Sequence, residues 1–152
     1  HKSLETVDAD NRVGAAEVLE VQCDVLIPAA LGGVINDGNV AKIKAEFIIE
    51  GANQPITFAA DQELRAQGVV IVPDILANSG GVMGSYFEWT QNIQEFSWPL
   101  EKFRRELDTR MESAFVNVHA VSKKHSVDLR TAAFVVAVGR VAEAFELRGS
   151  LV

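Results

Sequence analysis

Cysteine is almost missing from the chain: one thiol, Cys23, stands among 152 residues, so no disulfide can staple the fold. Its place at the start of an apolar segment fits a reduced, buried thiol, and the expected setting is the cytoplasm. Positive charge is also short, with 14 Lys and Arg against 21 Asp and Glu, a formal charge of -7 and a pI near 4.9. With no Lys/Arg stripe to offset that balance, nucleic acid is not an expected partner. Long apolar runs are absent as well. The most apolar helical stretch, residues 132–138, is far below the roughly 20 residues of a membrane span, and His1-Lys2-Ser3-Leu4 opens no signal peptide, so no membrane association is expected. His1, His119 and His125 are too dispersed to suggest a metal site. A Gly-x-Gly-x-x-Gly turn is lacking too, because Gly32-Gly33-Val34-Ile35-Asn36-Asp37-Gly38 has the wrong spacing to cradle a pyrophosphate.

What is present describes one globular unit, expected to occupy residues 1–152: 48% of the residues are hydrophobic and 23% charged, enough for a core. Three apolar segments, 25–27, 47–49 and 69–72, start 22 residues apart each time, the length of a strand plus a crossover helix. Continuous rather than alternating apolarity predicts a parallel α/β sheet covered on both faces, with right-handed crossovers. The connecting helices are expected over 38–44 and 57–67, the second capped by Thr57 and ended by Gly68. Residues 4–11 carry the weakest pattern and are expected to form a loop.

Ligands of such sheets bind at the carboxyl ends of the strands, and that edge collects Pro28, Ala29, Ala30, Gly51, Ala52, Asn53, Asp74 and Asn78. Small residues at 28–30 also suit a plain turn, and Asn53 is equally readable as an Asx turn before Pro55. Asn78 or Ser79 can cap a following helix whose paired glycines, Gly80 and Gly81, would leave backbone N–H groups open to a ligand. Within that helix Val82, Tyr86, Trp89 and Ile93 form an apolar stripe expected to face a core, while Gly81, Ser85, Glu88 and Asn92 form a polar one. For Ser85 the structural alternative is a bond back to a carbonyl one turn earlier.

After Ser97-Trp98-Pro99, a long helix places Leu100, Phe103, Leu107, Met111, Ala114, Val118 and Val121 on one packing stripe. Arg104 and Arg105 with their acidic neighbours read as its solvated face, and Lys123, Lys124 and His125 suit its carboxyl end. A last helix, about 128–147, is apolar nearly all round between 132 and 138, implying burial against more than one neighbour. Arg130, Arg140 and Arg148 acquire no role from the pattern.

The run Asn78-Ser79-Gly80-Gly81-Val82-Met83-Gly84-Ser85-Tyr86-Phe87-Glu88-Trp89-Thr90-Gln91-Asn92 resembles a signature of the glutamate dehydrogenases, within the glutamate/leucine/phenylalanine/valine dehydrogenase family. Cys23-Asp24-Val25-Leu26-Ile27-Pro28-Ala29-Ala30, Glu50-Gly51-Ala52-Asn53-Gln54-Pro55 and Val72-Pro73-Asp74-Ile75-Leu76-Ala77-Asn78 join it in the family's order. From about residue 13 to 149 the chain is similar to the carboxyl-terminal part of that family's cofactor domain. The fold implied is the second half of a Rossmann-like dinucleotide-binding domain, parallel strands with crossover helices followed by long carboxyl-terminal helices, in a single partial domain without the upstream half or the substrate domain.

The resemblance implies reversible NAD- or NADP-dependent oxidative deamination of L-glutamate to 2-oxoglutarate and ammonium by the intact enzyme, a homo-oligomer, hexameric in the family. It places Asn53 beside the nicotinamide and its ribose, and Ala29, Ala30 and Asn78 along the cofactor. Ser85 would hydrogen-bond the substrate's side-chain carboxylate, and Val82 would pack on its carbon chain. The family's glycine-rich turn and its catalytic lysine and aspartate lie upstream, so no catalytic residue is assigned here and the chain alone is expected to be inactive. The nearest rival is a leucine, phenylalanine or valine dehydrogenase, against which Tyr86-Phe87-Glu88-Trp89 resembles the glutamate branch. A non-catalytic module binding a nucleotide or a partner protein is the rival of another class; a receiver-like signalling domain lacks the clustered acidic residues it would need.

Overall fold

The computed structural model describes residues 12–149, and the 4–11 segment lies outside them. Three strands, β1 (Val25–Leu26), β2 (Phe47–Ile49) and β3 (Val70–Val72), pair in parallel in the order β1-β2-β3. The register aligns Val25 with Phe47 and Phe47 with Val70, so corresponding points of the three apolar segments lie side by side. The evenly spaced segments are therefore the sheet.

The two crossovers differ. Between β2 and β3 runs α1 (Phe58–Ala66), whose N-cap Thr57 accepts a bond from the Ala60 N–H at 3.4 Å; Gly68, at φ 89, takes the left-handed turn out of the helix. Ala60 and Leu64, one turn apart, are buried on Ile48 and Ile71 in the main core, with Ile35, Val40 and Ile56. Between β1 and β2 the helix expected over 38–44 shrinks to one 3-10 turn, Val40–Lys42. The cause is local competition: Asn39 Oδ1 accepts from the Asn36 N–H at 2.8 Å, Asn36 Oδ1 accepts from the Gly38 N–H, and Asn39 Nδ2 donates to the Val34 carbonyl. The side-chain amides take up backbone groups that a longer helix would need.

The expectation that both faces of the sheet are covered holds only in part. Leu26, Ile48 and Ile71 face the main core, and Val72 packs on the second cluster of Leu76, Val118, Ala132 and Ala133. The aligned row Val25, Phe47 and Val70 is exposed at the amino end of the sheet.

Beyond β3 the chain forms a helical turn, α2 (Asp74–Ala77), followed directly by α3 (Ser79–Gln94), then α4 (Leu100–His125) and α5 (Leu129–Arg148). Neither Asn78 nor Ser79 caps α3 with its side chain, since α2 already precedes it: Ser79 Oγ donates to the Leu76 carbonyl, and the Gly81 N–H donates to the Asn78 carbonyl instead of standing free.

The face of α3 that packs is the opposite of the one expected. Val82, Tyr86, Trp89 and Ile93 are all exposed, whereas Phe87 is buried, with its ring 5.6 Å from Phe103 edge-on and 5.3 Å from Trp98. The contact face is Gly80, Gly84, Phe87 and Gln91, the same spacing shifted by two residues, or about 200° around a helix of 3.6 residues per turn. Gly80 faces Met111 and Gly84 faces Phe103, so α4 lies close where the side chains are smallest. Burying Phe87 contributes about 2 to 3 kcal/mol. On α4 the expected stripe packs, except for Leu100, which is exposed.

At the left-handed Ser126, φ 51, the chain turns back into α5, capped by Asp128 Oδ1, which accepts from the Thr131 N–H at 3.0 Å. Of the stretch expected to be buried all round, Ala132 and Ala133 are buried, but Phe134, Val135 and Val138 are exposed. Cys23 is half-buried against the main core rather than enclosed. Among the described residues, no helix is long and apolar enough to cross a membrane.

Candidate functional site

The loops after β1 and β2 and the first turn of α3 meet at the carboxyl edge of the sheet. The Ala52 N–H donates to the Pro28 carbonyl at 2.9 Å, tying the first two loops together. Gly51 makes that approach feasible, since a Cβ there would stand 2.9 Å from the Ala29 Cβ. Asn78 bridges to the second loop: its Nδ2 donates to Asn53 Oδ1 at 2.7 Å and to the Gly51 carbonyl at 3.3 Å.

A cleft of about 590 Å³ opens here, lined by Ala30, Leu31, Gly32, Gly51, Ala52, Asn53, Asn78, Gly81, Val82 and Ser85. It brings together Ala30, Asn53, Asn78, Val82 and Ser85 from separate parts of the chain; Ala29 is not among the lining residues and faces Gly51 behind it. The Asn78 amide donates to Asn53 instead of capping the helix, which leaves the Asn53 Nδ2 group pointing away from that bond as a donor. Ser85 Oγ donates to the Gly81 carbonyl at 3.2 Å, the bond back along the helix, while remaining exposed at the cleft. Nothing lies within 4 Å of where a Cβ on Gly81 would be, so the first turn of α3 is open toward the cleft.

A larger hollow, about 710 Å³, shares Gly32, Asn53 and Asn78 with this cleft and is lined further by Phe58, Ile75 and Phe134, with Arg130 in its wall. The smaller cleft is the better candidate on chemical grounds, since it alone contains Val82 and Ser85 together with the two amides.

Behind the site lies a network of charges absent from the sequence reading. Arg130, in the first turn of α5, donates from Nη2 to Glu50 Oε1 at 2.8 Å and to Asp61 Oδ1 at 3.0 Å, and its Nη1 lies 3.5 Å from Asp74 Oδ1. Arg65 pairs with Asp61 and with Asp128. Glu50 has no exposed surface, and it also accepts the Asp74 N–H on Oε2 at 2.7 Å. Burial of Arg130 acts against its charge, but the bond and charge of Glu50 and those of Asp61 outweigh it, so the guanidinium is held charged more firmly than usual. Nothing in the sequence could have revealed this network, because the partners of Arg130 lie 56 to 80 residues away.

An open parallel α/β sheet with its cleft at the strand carboxyl ends, extended by long helices, defines a class of ligand-binding α/β proteins. Within that class the assignment is specific: residues 1–149 match the family model described as Glutamate/Leucine/Phenylalanine/Valine dehydrogenase, and the chain belongs to that family. It is 47% identical over 149 residues to a glutamate dehydrogenase of Thermotoga maritima, covering 98% of this chain and 36% of that protein. The chain thus spans about a third of that relative's length. Among solved structures it is similar to the hetero-hexameric glutamate dehydrogenase of Thermus thermophilus in its leucine-bound form, with a TM-score of 0.87, 31% identity and coverage of 92% of this chain and 34% of that one. The glutamate dehydrogenase of Peptoniphilus asaccharolyticus follows at a TM-score of 0.76 and 37% identity, over 81% of this chain and 31% of that one.

Proposed function

We propose that this chain is part of an NAD- or NADP-dependent glutamate dehydrogenase, in which it supplies one wall of the cofactor and substrate pocket. It forms one partial dinucleotide-binding domain, and the rest of the protein supplies the other half, the substrate domain and the catalytic groups. The observation that supports this most is the convergence of Ala30, Asn53, Asn78, Val82 and Ser85 on one cleft.

The residues present fit a nicotinamide cofactor: small side chains leave the strand edge open, and the Asn53 amide, oriented by Asn78, is free to donate to a carboxamide or ribose oxygen. When bound, that cofactor supplies the acceptor for hydride from the substrate's α-carbon. This chain's part is positioning. Asn53 and Asn78 hold the nicotinamide half, Ala30 flanks it with Ala29 packed on Gly51 behind the cleft, Val82 packs on the substrate's methylenes, and Ser85 donates to its side-chain carboxylate after releasing the Gly81 carbonyl. The exposed apolar faces of α3 and α5 and the open Val25, Phe47 and Val70 row are surfaces for the remainder of a cytoplasmic, hexameric enzyme.

The test compares the 152-residue chain with the intact protein containing it. Glutamate-dependent reduction of NAD or NADP is expected from the intact protein and not from the chain alone. Turnover by the purified chain, or an intact protein that oxidises leucine or valine in preference to glutamate, would overturn the reading.

A further inference from the structure

The turn that presents Asn53 is strained and pinned at one point. Gln54, the next residue, sits at φ 46, a left-handed conformation uncommon for a side chain other than glycine. Its N–H donates to Asp74 Oδ2 at 2.8 Å. The other oxygen of Asp74 accepts the Ile75 N–H at 2.7 Å and faces Arg130, while the Asp74 N–H is held by Glu50. Glu50 directly follows β2, three residues before Asn53, so both sides of the turn are tied to carboxylates that converge on one guanidinium. Without Arg130, Glu50, Asp61 and Asp74 would face one another with only Arg65, bound to Asp61, nearby. Like charges so close, one of them wholly buried, would push apart, and the Asp74 carboxylate would lose its fixed place.

We propose that Arg130 is a positioning residue for the cofactor: by gathering Glu50, Asp61 and Asp74 it fixes the Gln54 N–H and so aims the Asn53 amide into the cleft. Arg130 itself is not among the residues lining that cleft. The proposal rests on the reading of Asn53 as a nicotinamide-side contact. The planar fork of Arg130 is what the arrangement requires, since its three nitrogens serve three carboxylates at once; a lysine keeps the charge but not the fork.

The test is a double-mutant cycle in the intact dehydrogenase, with NADH and NADPH each titrated by nucleotide fluorescence. Arg130→Met is expected to weaken the better-bound nucleotide about tenfold in the parent, and less than about twofold when Asn53 is already alanine, because the residue acts through Asn53. Arg130→Lys should recover part of the loss. Equal losses in both backgrounds would mean that Arg130 merely stabilises the fold and would overturn the proposal. Should Arg130→Met fail to fold, Asp74→Ala breaks the same link while leaving Arg130 on Glu50 and Asp61, and the same non-additivity is expected; additive losses there overturn the proposal equally. An Asn53→Ala variant with unchanged affinity for both nucleotides would instead refute the reading of Asn53 itself, before any cycle is drawn.

Discussion

The side-chain amide of Asn78 donates to Asn53 Oδ1 at 2.7 Å, joining the start of α3 to the loop after β2. One amide oxygen is thereby occupied and one amide nitrogen left to act on a ligand. Asn53→Ala in the intact protein removes that donor, and cofactor affinity should fall by about 0.5 to 1.5 kcal/mol, roughly two- to twelvefold, with turnover reduced by misorientation. Equilibrium titration with NADH and NADPH checks it; a variant that loses only thermal stability would make Asn53 a turn residue.

Ser85 begins from a bonded state, which reduces the effect expected of its removal. On the proposed reading, the hydroxyl would exchange a neutral bond to the Gly81 carbonyl for a charge-assisted one to the substrate carboxylate. The net gain is the difference, about 1 to 1.5 kcal/mol, so Ser85→Ala should lower kcat/KM for glutamate roughly five- to twelvefold, mostly through KM. Cofactor KM should stay near the parent value. Steady-state kinetics with glutamate and with norvaline, which has no carboxylate to lose, separate the two roles; an unchanged glutamate KM would leave Ser85 with the Gly81 bond alone.

Gly81 offers a test in which stability and binding move in opposite directions. No protein atom would meet an added Cβ, and alanine is favoured over glycine inside a helix by about 0.8 to 1.0 kcal/mol. Gly81→Ala is therefore expected to raise the melting temperature while weakening ligand binding in the cleft it lines. A stabilised variant with full affinity would show that no ligand approaches this turn.

Asp128 sets a pH dependence on the hairpin between α4 and α5. Burial opposes its ionisation, but bonds from the Thr131 N–H at 3.0 Å and Thr131 Oγ1 at 2.7 Å, with Arg65 beside it, hold its carboxyl below the usual aspartate range. A depressed carboxyl contributes stability that is present above the unfolded-state value and is lost as pH falls through the folded one. Asp128→Ala should cost about 1 kcal/mol near neutrality. In urea unfolding, the gap between parent and variant should close as the pH drops below about 4; a gap that persists there would show that charge is not what the cap uses.

The sheet was legible because it depends on segments that announce themselves: three apolar runs at one spacing gave the strands, and Thr57 and Gly68 bounded α1. The packed face of α3 was not, because Gly80 and Gly84 score as nothing in an apolar count although their lack of a side chain admits α4. Its exposed partner face, with Tyr86 and Trp89, looked like core for the opposite reason. The 38–44 helix failed on Asn36 and Asn39, whose amides bind the backbone locally. Motif resemblance pointed to Asn53, Asn78, Val82 and Ser85, and the fold gathers them at one cleft. Arg130 lay beyond any local pattern, since its meaning comes only from three carboxylates in three distant parts of the chain.

The return of the chain at Ser126 has a consequence for the order of assembly. The strand pairings and α1 join residues about 20 apart, whereas the guanidinium of Arg130 reaches Glu50 across 80 positions, and such distant closures form late. During synthesis the Asn53 turn therefore emerges long before the residue that locks it, and the crevice stays unset until the α4–α5 hairpin docks. In refolding followed by pulsed hydrogen exchange, the Gln54 amide should gain protection after the amides of β2 and β3, making the carboxyl edge of the sheet the last part of this segment to become rigid.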